Sequence, residues 1–280
     1  MNPQELYNKT CRECSSLITR RYSTSFSTGI RVFDKKFQDP IYAVYGFVRF
    51  ADEIVDTFHD FDKSALLNRF REDTYTAINE KISLNPVLHA FQEVVHGYDI
   101  EMELIDAFLD SMEMDLHFNK YEDALYNQYI YGSAEVVGLM CLRVFCENDK
   151  SRYETLKAPA QSLGSAFQKI NFLRDMKSDF AERGRVYFPG IDFTNFTNED
   201  KIRIEADIKK DFDDAYKGII ALPEGARFGV YLAYVYYISL FNKIKKATAA
   251  VVKEQRIRVN DSRKFYLLCS SAVKMRFNML

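Results

Sequence analysis

In QSLGSAFQKINFLRDMKSDF, residues 161–180, a polar or small residue recurs every three or four positions: Gln161, Gly164, Gln168, Asn171, Asp175 and Asp179. At 3.6 residues per turn these six fall within an arc of roughly 80° on one side of a helix. Phe167 and Phe172 flank that arc on its two sides. A side turned to bulk water normally recruits Lys, Glu and Arg, yet Lys169 and Lys177 lie elsewhere on the wheel. Short carboxylates, amides and a glycine between aromatic walls read instead as the lining of a cavity.

A second stripe lies in PIYAVYGFVRFADEIVDTF, residues 40–58, where Tyr45, Arg49, Asp52 and Asp56 share one side and Val44, Phe47, Phe50, Ile54 and Val55 the other. Alone, this pattern is equally an amphipathic helix with a solvated face. The two stripes together argue for more. Carboxylates four apart repel each other on a helix, and a divalent cation reverses that sign. Mg²⁺ takes one or two carboxylates and completes its octahedron with substrate phosphate and water. Facing helices bearing Asp52 and Asp56 on one wall and Asn171, Asp175 and Asp179 on the other would therefore grip a diphosphate through bridging metal. Arg49 and Arg174, within a turn of these ligands, would neutralise remaining phosphate charge.

The rest of the chain is helical in pattern. Helices fit at about 3–21, 39–58, 62–82, 86–97, 100–119, 121–146, 151–182, 198–220, 225–253 and 260–276, with Pro40 suited to a first turn. The first helix ends before the Ser/Thr-rich YSTSFSTG at 22–29, and ERGRVYFPGIDFTNFT at 182–197 is the one obviously irregular stretch. Eleven Gly and six Pro in 280 residues leave room for long helices. No linker or repeat divides the sequence, so one all-α domain over 1–280, of roughly ten helices, is expected.

Composition bounds the function. Hydrophobic residues at 47% and charged residues at 28% are a globular balance. Net charge −2, from 38 Lys+Arg against 40 Asp+Glu, carries no footprint for nucleic acid. The absence of Trp is offset by 18 Tyr and 23 Phe, enough aromatic bulk for a core or a greasy tunnel. MNPQELYNKTCREC has no apolar stretch of signal-peptide type. The greasiest run, FGVYLAYVYYISLF at 228–241, is short of the roughly twenty apolar residues of a membrane span and reads as a buried helix. The expectation is a cytoplasmic protein without a transmembrane segment, with peripheral membrane contact for product release. Cys11 and Cys14 have no second pair to complete a zinc site and read as ordinary helix cysteines.

At its motifs the chain resembles the squalene/phytoene synthase family over nearly its whole length. The features are YSTSFS at 22–27, DEIVD at 52–56, YIYGSAEVVGLM at 129–140, NFLRDMKSD at 171–179 and GRVYFP at 184–189. A lone DxxxD is weak; five motifs in order are specific. The resemblance implies an isoprenoid-synthase helical bundle with a central cavity. It also implies Mg²⁺ (or Mn²⁺) held by Asp52, Asp56, Asn171, Asp175 and Asp179. By the same carry-over Ser23, Ser25, Tyr45, Arg49, Gln168 and Arg174 touch diphosphate or substrate, and Tyr187 is the tyrosine of the flap after the second motif. The implied substrates are allylic prenyl diphosphates. The implied reaction is a head-to-head condensation through a cyclopropylcarbinyl diphosphate, most like that of bacterial phytoene synthases on two geranylgeranyl diphosphates. The alternative is a squalene or dehydrosqualene synthase on two farnesyl diphosphates, with NADPH required only for squalene.

Three positions depart from the family pattern. Lys177–Ser178 replaces a frequent Gly–Glu, Glu135 stands where a small residue is common, adding a carboxylate near the expected cavity, and Phe241 stands where Tyr is frequent. Asp115, beside Met and Leu, reads as packing before cavity lining; His59, His89 and His117 read as structural. A rival class, the di-metal carboxylate oxygenases, needs two Glu-x-x-His motifs. Only Glu93–His96 is present, and it reads as surface at a helix end. A non-catalytic partner protein would be expected to have lost an acidic motif, and both are intact.

Overall fold

The computed structural model describes residues 2–118 and 120–276, without the side chains of Ser25, Glu182, Arg183, Met275 and Arg276. Among the described residues it is helical throughout, apart from a single bridge between Lys120 and Val186.

The helices, in order, are α1 (Pro3–Tyr22), α2 (Thr24–Arg31), α3 (Lys35–Asp56), α4 (Lys63–Glu80), α5 (Pro86–Tyr98), α6 (Met102–His117) and α7 (Asp123–Ile130). A π-helical turn at Tyr131–Glu135 leads into α8 (Val136–Cys146). Then follow α9 (Lys150–Arg183), α10 (Asn198–Ala221), α11 (Glu224–Lys246), α12 (Ala249–Glu254) and α13 (Asp261–Arg276).

The ends follow local chemistry. Asn2 and Glu5 form a reciprocal capping box at the start of α1, and Thr197 and Asp200 form another at α10. Ser23 accepts the Phe26 N–H at 3.2 Å, which makes it the N-cap of α2. That cap turns the Ser/Thr-rich segment, which lies outside the expected helices, into a short helix. Pro40 is likewise not in a first turn. Helix α3 begins at Lys35, and the hydrogen bond lost at Pro40 is offset by burial of Ile41, Tyr42, Ala43 and Val44 immediately after it.

Two expected helices are interrupted. The 121–146 stretch contains the π turn, where Gly132 passes so close to α6 that a Cβ would lie 2.3 Å from the Ala107 carbonyl oxygen. The 225–253 stretch breaks at Ala247, and Thr248 caps the new helix α12.

Helix α9, of 34 residues, is the spine: α10 runs along it, and α8 and the π turn pack on it. It ends at Gly184, whose φ of 64° is the left-handed cap that glycine supplies without strain. Two apolar cores form around it. In one, Phe47 stacks on Phe91 at 4.0 Å between α3 and α5. The other gathers residues of α7, α9, α10, α11 and the 186–196 segment, where Tyr187 stacks on Phe172 at 4.0 Å. The continuous stretch Asp123–Cys146 is long and apolar enough to cross a membrane, but 61% of its most apolar window is buried inside the fold. It contacts α6 and α9 as a core helix does. The 228–241 run forms part of α11, only partly buried because one side faces a cavity.

Candidate active site

A cavity of about 1290 Å³ opens between α2, α3, α8, α9, α11 and α13. Both polar stripes face it. From α3 come Tyr45, Arg49, Asp52 and Asp56; from α9 come Gly164, Gln168, Asn171, Arg174, Asp175 and Asp179. Away from the carboxylates the lining is apolar, with Val137, Leu142, Phe145, Leu163 and Ile219 among its residues. Gln161 is the stripe member outside the lining. Its amide donates to Glu135 at 3.0 Å, so the Glu135 carboxylate, next to the lining residue Ala134, stands near the cavity but is engaged by Gln161.

The α3 wall is electrostatically tense. Burial first, then the neighbouring Asp56, push the Asp52 carboxyl up to about 7, against the pull of Arg49. Arg49 lies 3.7 Å from Asp52, donates to Glu53 at 3.1 Å through Nε, and covers the Tyr22 ring at 4.5 Å. Glu53, one step off the polar stripe, is a partner the periodicity does not reveal. Burial raises the Tyr45 pKa, and its ring packs against Phe26 at 5.4 Å.

On the α9 wall, Asp175 is held by two arginines. Arg174 donates from Nε to both carboxylate oxygens at 3.1 Å, and Arg256, from the segment between α12 and α13, stands 2.8 Å away. Tyr237 of α11 donates to Asn171 at 3.2 Å and stacks on Phe167 at 3.8 Å. A phenol hydroxyl thus reaches the stripe one turn before Phe241, which is buried against Phe212. Lys177 is exposed, and Ser178 donates to the Asp175 carbonyl at 2.9 Å. Lys169 is no solvent residue: it is 7% exposed and bonded to Asp207 and Asp211 of α10.

Ser23 caps α2 and lines the cavity; the Ser25 side chain lies outside the described residues. Tyr187 is buried and lines the cavity, accepting from Arg185 at 3.2 Å. Burial raises its pKa, so it stays a neutral phenol.

Asp115 is a cavity residue, contrary to its reading as packing. It accepts from Tyr129 at 2.8 Å and pairs with Arg185 at 3.2 Å, while Arg185 also approaches Asp56 at 3.8 Å. Arg185 and Arg256 are the principal residues the sequence reading missed; Arg185 stood inside the quoted GRVYFP, and Arg256 had no signal beyond a basic stretch.

The other candidates stay apart from the cavity. Glu93 is half-buried and pairs with Arg12 at 2.8 Å, and exposed His96 contacts the Ile78 carbonyl at 2.7 Å. His89 is buried, as a structural histidine would be, whereas His59 and His117 are exposed. Cys11 and Cys14 are free thiols on α1.

The donor set suits a hard divalent cation. Among the described residues, no three acidic, His or Cys side chains converge on one point. Instead two carboxylates stand on each wall, and Mg²⁺ takes one or two when phosphate and water complete its shell. Asp52 and Asp56 stand four residues apart on α3, where like charges repel, and a cation between them would relieve that repulsion.

A sequence profile of the squalene/phytoene synthase family matches residues 19–263. The chain belongs to that family. Among squalene/phytoene synthase relatives, the phytoene synthase of Arthrospira platensis is 27% identical over 297 aligned positions, covering 96% of this chain and 93% of its own. Chloroplastic phytoene synthase 1 of Solanum lycopersicum is 27% identical over 86% of this chain, which spans 61% of that relative's length. The 4,4'-diapophytoene synthase of Staphylococcus haemolyticus is 27% identical over 69% of this chain and 66% of its own. In fold, a dehydrosqualene synthase crystal structure superposes with a TM-score of 0.83 at 22% identity, covering 98% of this chain and 99% of that one. Squalene synthase HpnC from Alicyclobacillus acidocaldarius gives 0.76 at 20% identity, covering 88% and 96%.

Proposed function

We propose that this chain is a prenyltransferase joining two allylic diphosphates head to head, and specifically a phytoene synthase using two geranylgeranyl diphosphates. The observation that carries this is the facing of two carboxylate-bearing helices, α3 and α9, across one cavity whose remaining lining is apolar. At about 1290 Å³ the space exceeds the roughly 300–1,000 Å³ of ordinary ligand pockets, as two long substrates require. We read residues 1–280 as one functional unit, because helices from α2 to α13 line the same cavity.

Mg²⁺, for which Mn²⁺ would substitute, supplies positive charge against the departing diphosphate when bound. Asp52 and Asp56 would hold it on one wall, and Asn171, Asp175 and Asp179 on the other. Arg49 and Arg174 pair with diphosphate oxygens, while Ser23, Ser25, Tyr45 and Gln168 position the substrate. Loss of diphosphate leaves an allylic cation that water would quench, so an apolar, closed depth is needed. The stacked Phe172 and Tyr187 rings present π-faces that stabilise cationic charge. Attack by the second substrate's double bond, with loss of a proton as the ring closes, forms a cyclopropylcarbinyl diphosphate; its ionisation, rearrangement and loss of a second proton give phytoene.

The second reading is a squalene or dehydrosqualene synthase acting on two farnesyl diphosphates, and it is favoured by the name of the Staphylococcus relative. Incubation with each diphosphate and Mg²⁺, with and without NADPH, separates the two. Phytoene from geranylgeranyl diphosphate, unaltered by NADPH, is expected. A product from farnesyl diphosphate alone selects the second reading, and NADPH-dependent squalene selects its reductive form. No condensed product from either substrate rejects both.

A further inference from the structure

Helix α3 carries a third carboxylate between the two that face the cavity. Glu53 follows Asp52 directly and so lies off the polar stripe. It does not line the cavity, whereas Arg49, Asp52, Asp56 and Thr57 do. Its side chain is 16% exposed, against 38% for Asp52. A carboxylate drawn this far from water is costly unless it is paired.

Arg49 is its partner. One Glu53 oxygen accepts from Arg49 Nε at 3.1 Å and from a terminal nitrogen of the same guanidinium. Against the burial that would raise it, hydrogen bonds from Arg49, Thr57 and Tyr22 hold the Glu53 carboxyl below the usual range. The Tyr22 ring covers the guanidinium at 4.5 Å. A guanidinium has five N–H donors in a rigid fork. Glu53 engages its Nε edge and Tyr22 lies over its face. What is left for a ligand is the outer end, with Nη1 3.7 Å from Asp52.

We propose that Glu53 is a positioning residue, which holds the Nε edge of Arg49 and so aims the outer end of the guanidinium at the diphosphate. It touches neither substrate nor metal and acts through Arg49. A donor misplaced by about an ångström costs roughly a hundredfold in rate. The cost falls on the transition state, where leaving-group charge is greatest. A third metal ligand is the weaker role, because Glu53 lies outside the lining and its bonded oxygen already serves two donors. That the ligand is a diphosphate rests on the proposed function; the clamp on Arg49 does not.

The test compares Glu53→Ala and Glu53→Gln in wild-type and Arg49→Lys backgrounds. Steady-state kinetics use geranylgeranyl diphosphate, and calorimetry uses inorganic diphosphate with Mg²⁺. Glu53→Ala should lose roughly a hundredfold in kcat, with KM changed less than about threefold. Glu53→Gln, whose amide oxygen still accepts from Nε, should recover most of that loss. Arg49→Lys has no Nε edge to hold, so there Glu53→Ala should cost less than about threefold more. Inorganic diphosphate carries the charge that the leaving group acquires, and Glu53→Ala should bind it about tenfold more weakly. Mn²⁺ affinity, read by paramagnetic resonance, should stay at the wild-type value. Equal losses for Glu53→Ala in both backgrounds, or no recovery in Glu53→Gln, overturn the proposal. So does a Mn²⁺ affinity reduced as far as in Asp52→Asn, which would make Glu53 a ligand. Wild-type protein that binds diphosphate but turns over neither prenyl substrate overturns the prenyltransferase reading, and the calorimetry then decides on Glu53. Wild-type protein that binds no diphosphate overturns both.

Discussion

The guanidinium of Arg185 lies 3.2 Å from the carboxylate of Asp115, and each side chain is only 6% exposed. This pair ties the segment after α9 to α6, and the Arg185 donor to the Asp115 carbonyl at 2.5 Å strengthens the tie. Asp115→Leu would leave the buried guanidinium only the more distant Asp56 carboxylate at 3.8 Å, and breaking a buried pair typically costs about 3–5 kcal/mol. Urea unfolding of that variant should show a loss in this range. A loss below about 1 kcal/mol, as for a surface pair, would mean that the pair does not anchor the segment.

Asp52→Asn and Asp175→Asn preserve volume, so helical content and melting behaviour should stay close to wild type. Turnover should nevertheless fall by about a hundredfold or more, the usual effect of removing one transition-state charge contact. Retention of more than about a tenth of the wild-type rate by either variant would remove that residue from the ligand set.

Arg49 offers a planar fork that an ammonium cannot reproduce against phosphate. Arg49→Lys is therefore expected to lower kcat more than it raises KM, because leaving-group charge peaks in the transition state. Its contact with Glu53 is one that a lysine would keep only in part. An unchanged kcat with a raised KM would confine Arg49 to substrate binding.

Gly132 lies in the π turn with the Ala107 carbonyl oxygen 2.3 Å, and the Ser111 Cβ 2.6 Å, from where its Cβ would be. Both are on the facing helix and cannot yield like a flexible side-chain end. Gly132→Ala should cost about 1–3 kcal/mol as an overpacking change, read as a lowered denaturation midpoint. A stability equal to wild type would show that α6 and the π turn separate freely.

Both carboxylate stripes were legible in the sequence because a helical period of 3.6 converts spacing directly into direction. Five of the six polar positions on α9 line the cavity, and the exception, Gln161, is drawn off by Glu135. What was hidden depends on distance along the chain. Arg185 meets Asp115 across 70 residues, and Arg256 reaches Asp175 from beyond three further helices. Neither contact has a local pattern. Helix α2 was missed for a different reason. Its Ser/Thr content favours turns, and only the cap formed by Ser23 reveals that the same residues start a helix.

The most direct test of the central claim, that both walls together promote two ionisations in one cavity, is the ratio of inorganic diphosphate released to condensed hydrocarbon formed. Geranylgeranyl diphosphate with Mg²⁺ should release two diphosphates for each phytoene, and chelation of the metal should stop both. Release of one diphosphate per condensed product would mean that the reaction halts after the first ionisation. Undiminished condensation after chelation would contradict the role given to Asp52, Asp56, Asn171, Asp175 and Asp179.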